Sequence, residues 1–190
     1  MVLRNVEIAY NGCSEAYPAG SITMATCWAQ QAGGYGDGFG LATSGGHWVA
    51  ENCYVHHNIS DGFDFLYLDA TASLEVRGLI AEGNAGNQLK LSGNALVENS
   101  LLVGNCAYFA DSPLMVGGDH CRAYGDTLAL DLHRGSSIRV INNTLTGQGD
   151  CLLEVGCNDS DSDHPQAPDC NGTEKVTIRN TLFAGNTRYF

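Results

Sequence analysis

NSLLVGN, residues 99–105, sets two asparagines six positions apart around an apolar centre, and the unit recurs as NVEIAYN (5–11), NCYVHHN (52–58), GLIAEGN (78–84), NTLTGQG (143–149) and NTLFAGN (180–186). Successive copies start 47, 26, 21, 44 and 37 residues apart. These intervals read as one or two units of about 22 residues plus insertions, the spacing of a solenoid. On that reading the intervals of 47 and 44 each hide a degenerate copy, and about eight turns fill the chain.

Alternating stretches precede the copies, as in HWVAEN, LEVRG, ALVEN, IRVINN and VTIRN, and others follow them, as in GFDFLYL, QLKLS and LALDLH. Period two means strand, and a sustained 3.6-residue period is missing. Three short strands per unit, joined by tight turns, predict an all-β parallel β-helix. The inward layers are expected to hold Val6, Ile8, Val55, Phe63, Phe65, Leu79, Leu89, Leu91, Leu101, Val103, Leu128, Leu130, Leu132, Leu145 and Leu182, because their burial drives folding.

The pattern resembles the right-handed parallel β-helix repeat family, the pectate-lyase-like superfamily, over nearly the whole chain. In that family a short bend between the second and third strands carries an asparagine, matched here by Asn5, Asn52, Asn99, Asn143 and Asn180, with glycine at 78. Asparagine tolerates the left-handed conformation, and its amide is suited to laddering. The resemblance implies one domain over 1–190, with insertions near 13–47, 106–126 and 157–172. Within the first insertion, SITMATCWAQQAGGYGDGFG (21–40) is expected to have a short helical centre.

Composition narrows the partners. Two lysines and seven arginines face 21 acidic residues, a formal charge of −12, and no basic stripe tracks a phosphate backbone, which argues against nucleic acid. No run of about 18 apolar residues spans a bilayer. The N-terminus lacks the layout of a signal peptide. Both ends read as full strand-forming turns without a capping helix, so the expectation is a piece of a longer protein or a homo-oligomer joined through those ends. Eight cysteines, at 13, 27, 53, 106, 121, 151, 157 and 170, allow up to four disulfides and suggest an oxidising, extracellular or periplasmic setting.

In the resembled family a polysaccharide lies over the first strand of each turn, with the catalytic groups pointing outward from it. By alternation those positions are Asp64, Lys90, Asp131, His133 and Glu154. Carboxylates beside a cation suit either acid–base cleavage of a glycosidic bond, as in a glycoside hydrolase, or β-elimination, as in a polysaccharide lyase. The paired-Asp polygalacturonase motif, a Gly-His-Gly and a calcium cluster with an arginine base are absent from the sequence. A non-catalytic surface or adhesin-like module is therefore the alternative. His56 and His57, adjacent on a strand, are expected to point to opposite faces.

CNDSDSDHPQAPDCNGTE (157–174) interrupts the repeat and concentrates Asn158, Asp159, Asp161, Asp163 and Asp169 between Cys157 and Cys170. Closely spaced oxygen ligands suit calcium. The segment resembles a shortened MopE-type metal-binding motif of secreted bacterial proteins through DSDHPQAP and CNG. A Cys157–Cys170 bridge would staple it, limiting its unfolded entropy by roughly 3 kcal/mol.

Overall fold

In the computed structural model, residues 1–11, 36–105, 125–157 and 170–185 are described, and they hold seventeen strands numbered in chain order. The first sheet is β1 (Val2–Arg4), β4 (His47–Glu51), β7 (Ser73–Arg77), β10 (Asn94–Glu98), β13 (Ser137–Ile141) and β16 (Lys175–Arg179). The second is β2 (Glu7–Ala9), β5 (Tyr54–His56), β8 (Ile80–Glu82), β11 (Leu101–Gly104), β14 (Thr144–Gly147) and β17 (Leu182–Gly185). The third is β3 (Phe39–Gly40), β6 (Phe63–Phe65), β9 (Leu89–Ser92), β12 (Leu128–Leu132) and β15 (Leu153–Cys157). All pairings are parallel, and each strand pairs with the one three places on. This is an all-β arrangement compatible with a parallel β-helix, in which a parallel partner is reached only by a crossover.

Alternation sorts the side chains as strand geometry requires. Phe63, Phe65, Leu89, Leu91, Leu128 and Leu130 of the third sheet stack in register against Leu74, Val76, Val97, Ile138 and Val140 of the first and Val55, Ala81, Leu102 and Leu145 of the second. In β11 the inward residue is Leu102, fully buried, while Leu101 is 38% exposed and Val103 half-buried. Leu182, 57% exposed, pairs with Thr144 on the outward face of β14. The expected facings of Leu101, Val103 and Leu182 are thus corrected by one residue, because the inward positions lie one and three residues after the left-handed residue, which are Ser100 and Leu102 after Asn99 and Thr181 and Phe183 after Asn180.

That bend is the left-handed position anticipated from the repeat. Asn5, Asn52, Asn99 and Asn180 have φ between 50° and 55°, and Gly78 has φ 63°. The fifth asparagine is Asn142, φ 57°, not Asn143, since Thr144 pairs with both Leu101 and Leu182. Asn143 is instead buried, its Oδ1 accepting the Ser100 N–H at 2.8 Å and its Nδ2 donating to Val97 O at 2.9 Å. A Cβ at Gly78 would meet Asn52 Oδ1 at 2.5 Å, so a side chain there would require the Asn52 amide to move.

The side-chain ladder lies at the other end of the unit. Asn11 donates its N–H and Nδ2 to Asn58 Oδ1 (3.1 and 2.8 Å), Asn58 does the same to Asn84 Oδ1 (3.0 and 2.7 Å), and Asn84 to Gln88 Oε1 (3.1 and 2.9 Å). Asn58 and Asn84 are buried, and satisfied amides are what allow polar groups there.

The intervals of 47 and 44 residues hide no further repeat in these sheets. β1 pairs directly with β4, β10 with β13 and β11 with β14, so the extra residues are insertions between neighbouring units. Most of them, and the helical centre expected in 21–40, lie outside the described residues, although Phe39 and Gly40 form β3.

Candidate functional site

The outward row of the third sheet runs Gly40, Asp64, Lys90, Ala129, Glu154, side by side in register. Asp64 and Lys90 are therefore neighbours, and Ala129 separates Lys90 from Glu154. Asp131 stands in the next row, between Ser92 and Gly156. His133 leaves the row altogether: it is buried beyond the end of β12, its N–H donates to Ser136 Oγ at 2.9 Å, and its ring lies against Gly93 and near Asp69. Burial pushes its pKa down, with the Asp69 charge opposing.

Asp64 is only 9% exposed, flanked by the fully buried Phe63 and Phe65. Burial, then the negative charge of Asp61, pushes its pKa up to about 7, against the opposing pull of Lys90 and of the Leu66 N–H that donates to Oδ1 at 2.9 Å. Lys90 is also largely enclosed. Its burial works against the charged form, but Asp64, Asp61 and Asp131 outweigh it and hold the ammonium above its ordinary value. One cation thus sits among three carboxyl groups, one of which takes up a proton near neutrality.

A second protonated pair lies two strands on. Asp126 is buried, and burial followed by a hydrogen bond with the exposed Glu154 pushes its pKa up to about 7. A hydrogen bond between two carboxyl groups requires a proton on one of them. The Cys151 thiol donates to Asp126 Oδ1 at 2.9 Å, and burial together with that bond raises the thiol to about 12, so it is no nucleophile at neutral pH.

Sequence reasoning missed the ladder that carries these acids. Asp37 Oδ1 accepts the Asp61 N–H (2.9 Å), Asp61 Oδ1 the Asn87 N–H (2.7 Å), Asn87 Oδ1 the Asp126 N–H (2.9 Å), and Asp126 Oδ1 the Cys151 N–H (2.8 Å). The signal was an Asp or Asn two residues before the first inward aromatic or leucine of each strand, as in DGF (37–39), DGF (61–63), NQL (87–89) and DTL (126–128).

The second sheet gathers another polar group. His57 adopts φ 53°, which turns its ring back so that its Nδ1 is 2.7 Å from Nδ1 of His56. The expectation that the two imidazoles face apart is corrected by that left-handed residue. Buried His56 also approaches Glu7 at 3.1 Å and stacks on Tyr54, whose hydroxyl donates to Glu82. That bond, ahead of burial, raises the Tyr54 pKa to about 12.

Cys157 and Cys170 are disulfide-bonded, as expected. The residues between them, with the expected calcium ligands Asn158, Asp159, Asp161, Asp163 and Asp169, lie outside the described residues. Among the described residues no group of three His, Cys, Asp or Glu is arranged to hold a metal ion, and no helix is long and apolar enough to cross a membrane. In comparisons with family models, curated proteins and solved structures, nothing matches the chain.

Proposed function

We propose that the chain is a right-handed parallel β-helix of the pectate-lyase-like type, and that the outward face of its third sheet binds a polysaccharide and cleaves it by acid–base chemistry. The observation that carries this reading is the pairing of Asp64, only 9% exposed, with Lys90 on the outward row of the third sheet, where burial pushes the Asp64 pKa up to about 7. A buried, protonated carboxylic acid on a solvent-facing strand is what general-acid protonation of a glycosidic oxygen requires.

The second carboxylate is Asp131, two strands from Asp64 and two residues along β12, about 12 Å away by backbone spacing, acting as base; Glu154 lies in the same row as Asp64 but three strands away. Lys90 anchors a sugar hydroxyl or carboxylate. The Cys157–Cys170 disulfide supports an extracellular or periplasmic location, and the loop it closes is proposed to take calcium through its aspartates. The second reading, a non-catalytic surface module, is favoured by one observation: Asp61, Asn87 and Asp126 spend a side-chain oxygen on backbone N–H groups.

The test is incubation with neutral and uronic polysaccharides, following reducing ends and the absorbance of unsaturated products. Hydrolysis by wild type, reduced at least about a hundredfold in Asp64→Asn, is expected for a general acid. Unsaturated products would replace hydrolysis by elimination. Full activity in Asp64→Asn, or silence across the panel with glycan binding unchanged in Asp64→Asn and Asp131→Asn, would sink the cleavage reading.

A further inference from the structure

The outward face of the first sheet changes character along its length. In its early strands each arginine meets an acid: Arg4 reaches Glu51 at 2.5 Å, and Arg77 reaches Glu98 at 2.6 Å and Glu75 at 3.1 Å. In register, Arg4, Glu51, Arg77 and Glu98 alternate in sign across four strands. The same row then continues through Ile141 to Arg179, with no acid between them.

Here Arg139, Lys175 and Arg179, three of the nine basic residues of a chain of charge −12, line one depression of about 300 Å³ with Ser137, Ile141 and Thr177. Lys175 and Arg179 lie four residues apart on β16, about 13 Å along an extended strand. Arg139 pairs with Thr177 between them. Like charges gathered this way repel unless an anion joins them.

We infer that this depression is a binding site for the acidic groups of an anionic oligosaccharide, a carboxylated or sulfated glycan. Guanidinium groups match carboxylate and sulfate oxygens in bidentate fashion. Thr177 lies between Lys175 and Arg179 on β16 and Ser137 is paired with Lys175, so both hydroxyls border the cations, where they can bond sugar hydroxyls. The volume is at the lower end of the range for small-ligand sites, enough for one or two sugar units. A docked protein needs about 800 Å² on each partner, and tight phosphate-backbone binding draws on roughly 6–10 contacts. Three cations in a small hollow fit neither. The site is on a different sheet from Asp64 and Lys90 and is independent of the cleavage reading.

Calorimetric titration with a trimer of galacturonate, its methyl ester and inorganic phosphate tests this, using wild type, Arg139→Gln/Lys175→Gln/Arg179→Gln, and Arg4→Gln/Arg77→Gln. Loss of the charge-assisted bonds is expected to weaken trimer binding at least about tenfold in the triple variant and not in the double. Wild-type affinity falls as salt rises, and the methyl ester binds far more weakly than the acid. The triple change is confined to outward side chains, and wild-type salt dependence provides a readout that needs no variant. Cleavage is scored by product formation in Asp64→Asn and binding by calorimetry in the triple variant, so the two ideas fail separately. Equal binding by the triple variant or by the methyl ester, or phosphate binding as tight as the trimer, would overturn the assignment. So would a wild-type dimer that ignores the trimer and dissociates in the triple variant, which would assign the depression to a second copy.

Discussion

On the first sheet, Arg77 lies between Glu75 and Glu98 and each charge is met by its opposite. On the third, Lys90 faces Asp61, Asp64 and Asp131 together. Both faces are built on the same parallel register, with identical positions brought side by side from unit to unit. Where the row alternates in sign, neutrality comes from pairing at the surface. Where Asp61, Asp64 and Asp131 surround Lys90 and Asp64 is buried, a proton on Asp64 lowers the excess negative charge. Only the second solution leaves a proton available to react near neutral pH, which is why the third sheet is the face assigned chemistry.

The comparison presupposes that inward and outward residues are correctly sorted, and the largest effect tests that. Leu102→Ala, which empties a fully buried position, is expected to cost about 2–5 kcal/mol in chemical denaturation. Leu101→Ala, one residue away and exposed, should cost less than about 1 kcal/mol. Equal costs would shift the register of the second sheet.

Next comes the pH dependence of the third sheet. Asp64 has a folded pKa of about 7, above its ordinary value. Between about pH 4 and 7 the native protein therefore retains a proton that the unfolded chain has released, and stability falls as pH rises through that window, levelling off above it. Asp64→Asn should flatten the fall by about 2–4 kcal/mol, with denaturation midpoints across that range as the measurement. Asp126 contributes in the same direction, and Asp126→Asn should leave the Asp64 part intact.

Lys90→Met follows, at roughly 2 kcal/mol near pH 8, where Asp64 is ionised and loses its cation, and less near pH 5, where it is protonated. The smallest effect belongs to the first sheet. Arg77→Met, at a pair that is more than a third exposed, should cost at most about 1 kcal/mol at low salt and less at high salt, with no comparable pH dependence near neutrality. A cost for Arg77→Met as large and as pH-dependent as that for Lys90→Met would erase the difference between the faces.

Much of this was legible in the residues. The bracketed unit located the bend between first-sheet and second-sheet strands, and alternation placed Asp64 and Lys90 outward and adjacent. The shift at Asn142 and Asn143 was not legible, because two consecutive asparagines fit the motif equally and only the pairing of Thr144 with Leu101 decides between them. Nor could spacing separate a hidden repeat from an insertion between direct neighbours. His57 escaped the alternation because a left-handed residue within the second-sheet turn reverses its direction. The acid ladder of Asp37, Asp61, Asn87 and Asp126 went unread because mixed residue types at one position do not look like a repeat. The protonation of Asp64 depends on burial between neighbouring strands, which no local pattern reports.

The proton on Asp64 is central and can be measured directly, by following its side-chain carboxyl carbon in an NMR pH titration, with Asp64→Asn to assign the signal. A midpoint near pH 7, rising further in Lys90→Met, is the expected result. A midpoint near the ordinary aspartate value of about 4, unchanged by removing Lys90, would contradict it and leave the third sheet with the same kind of charge pairing as the first.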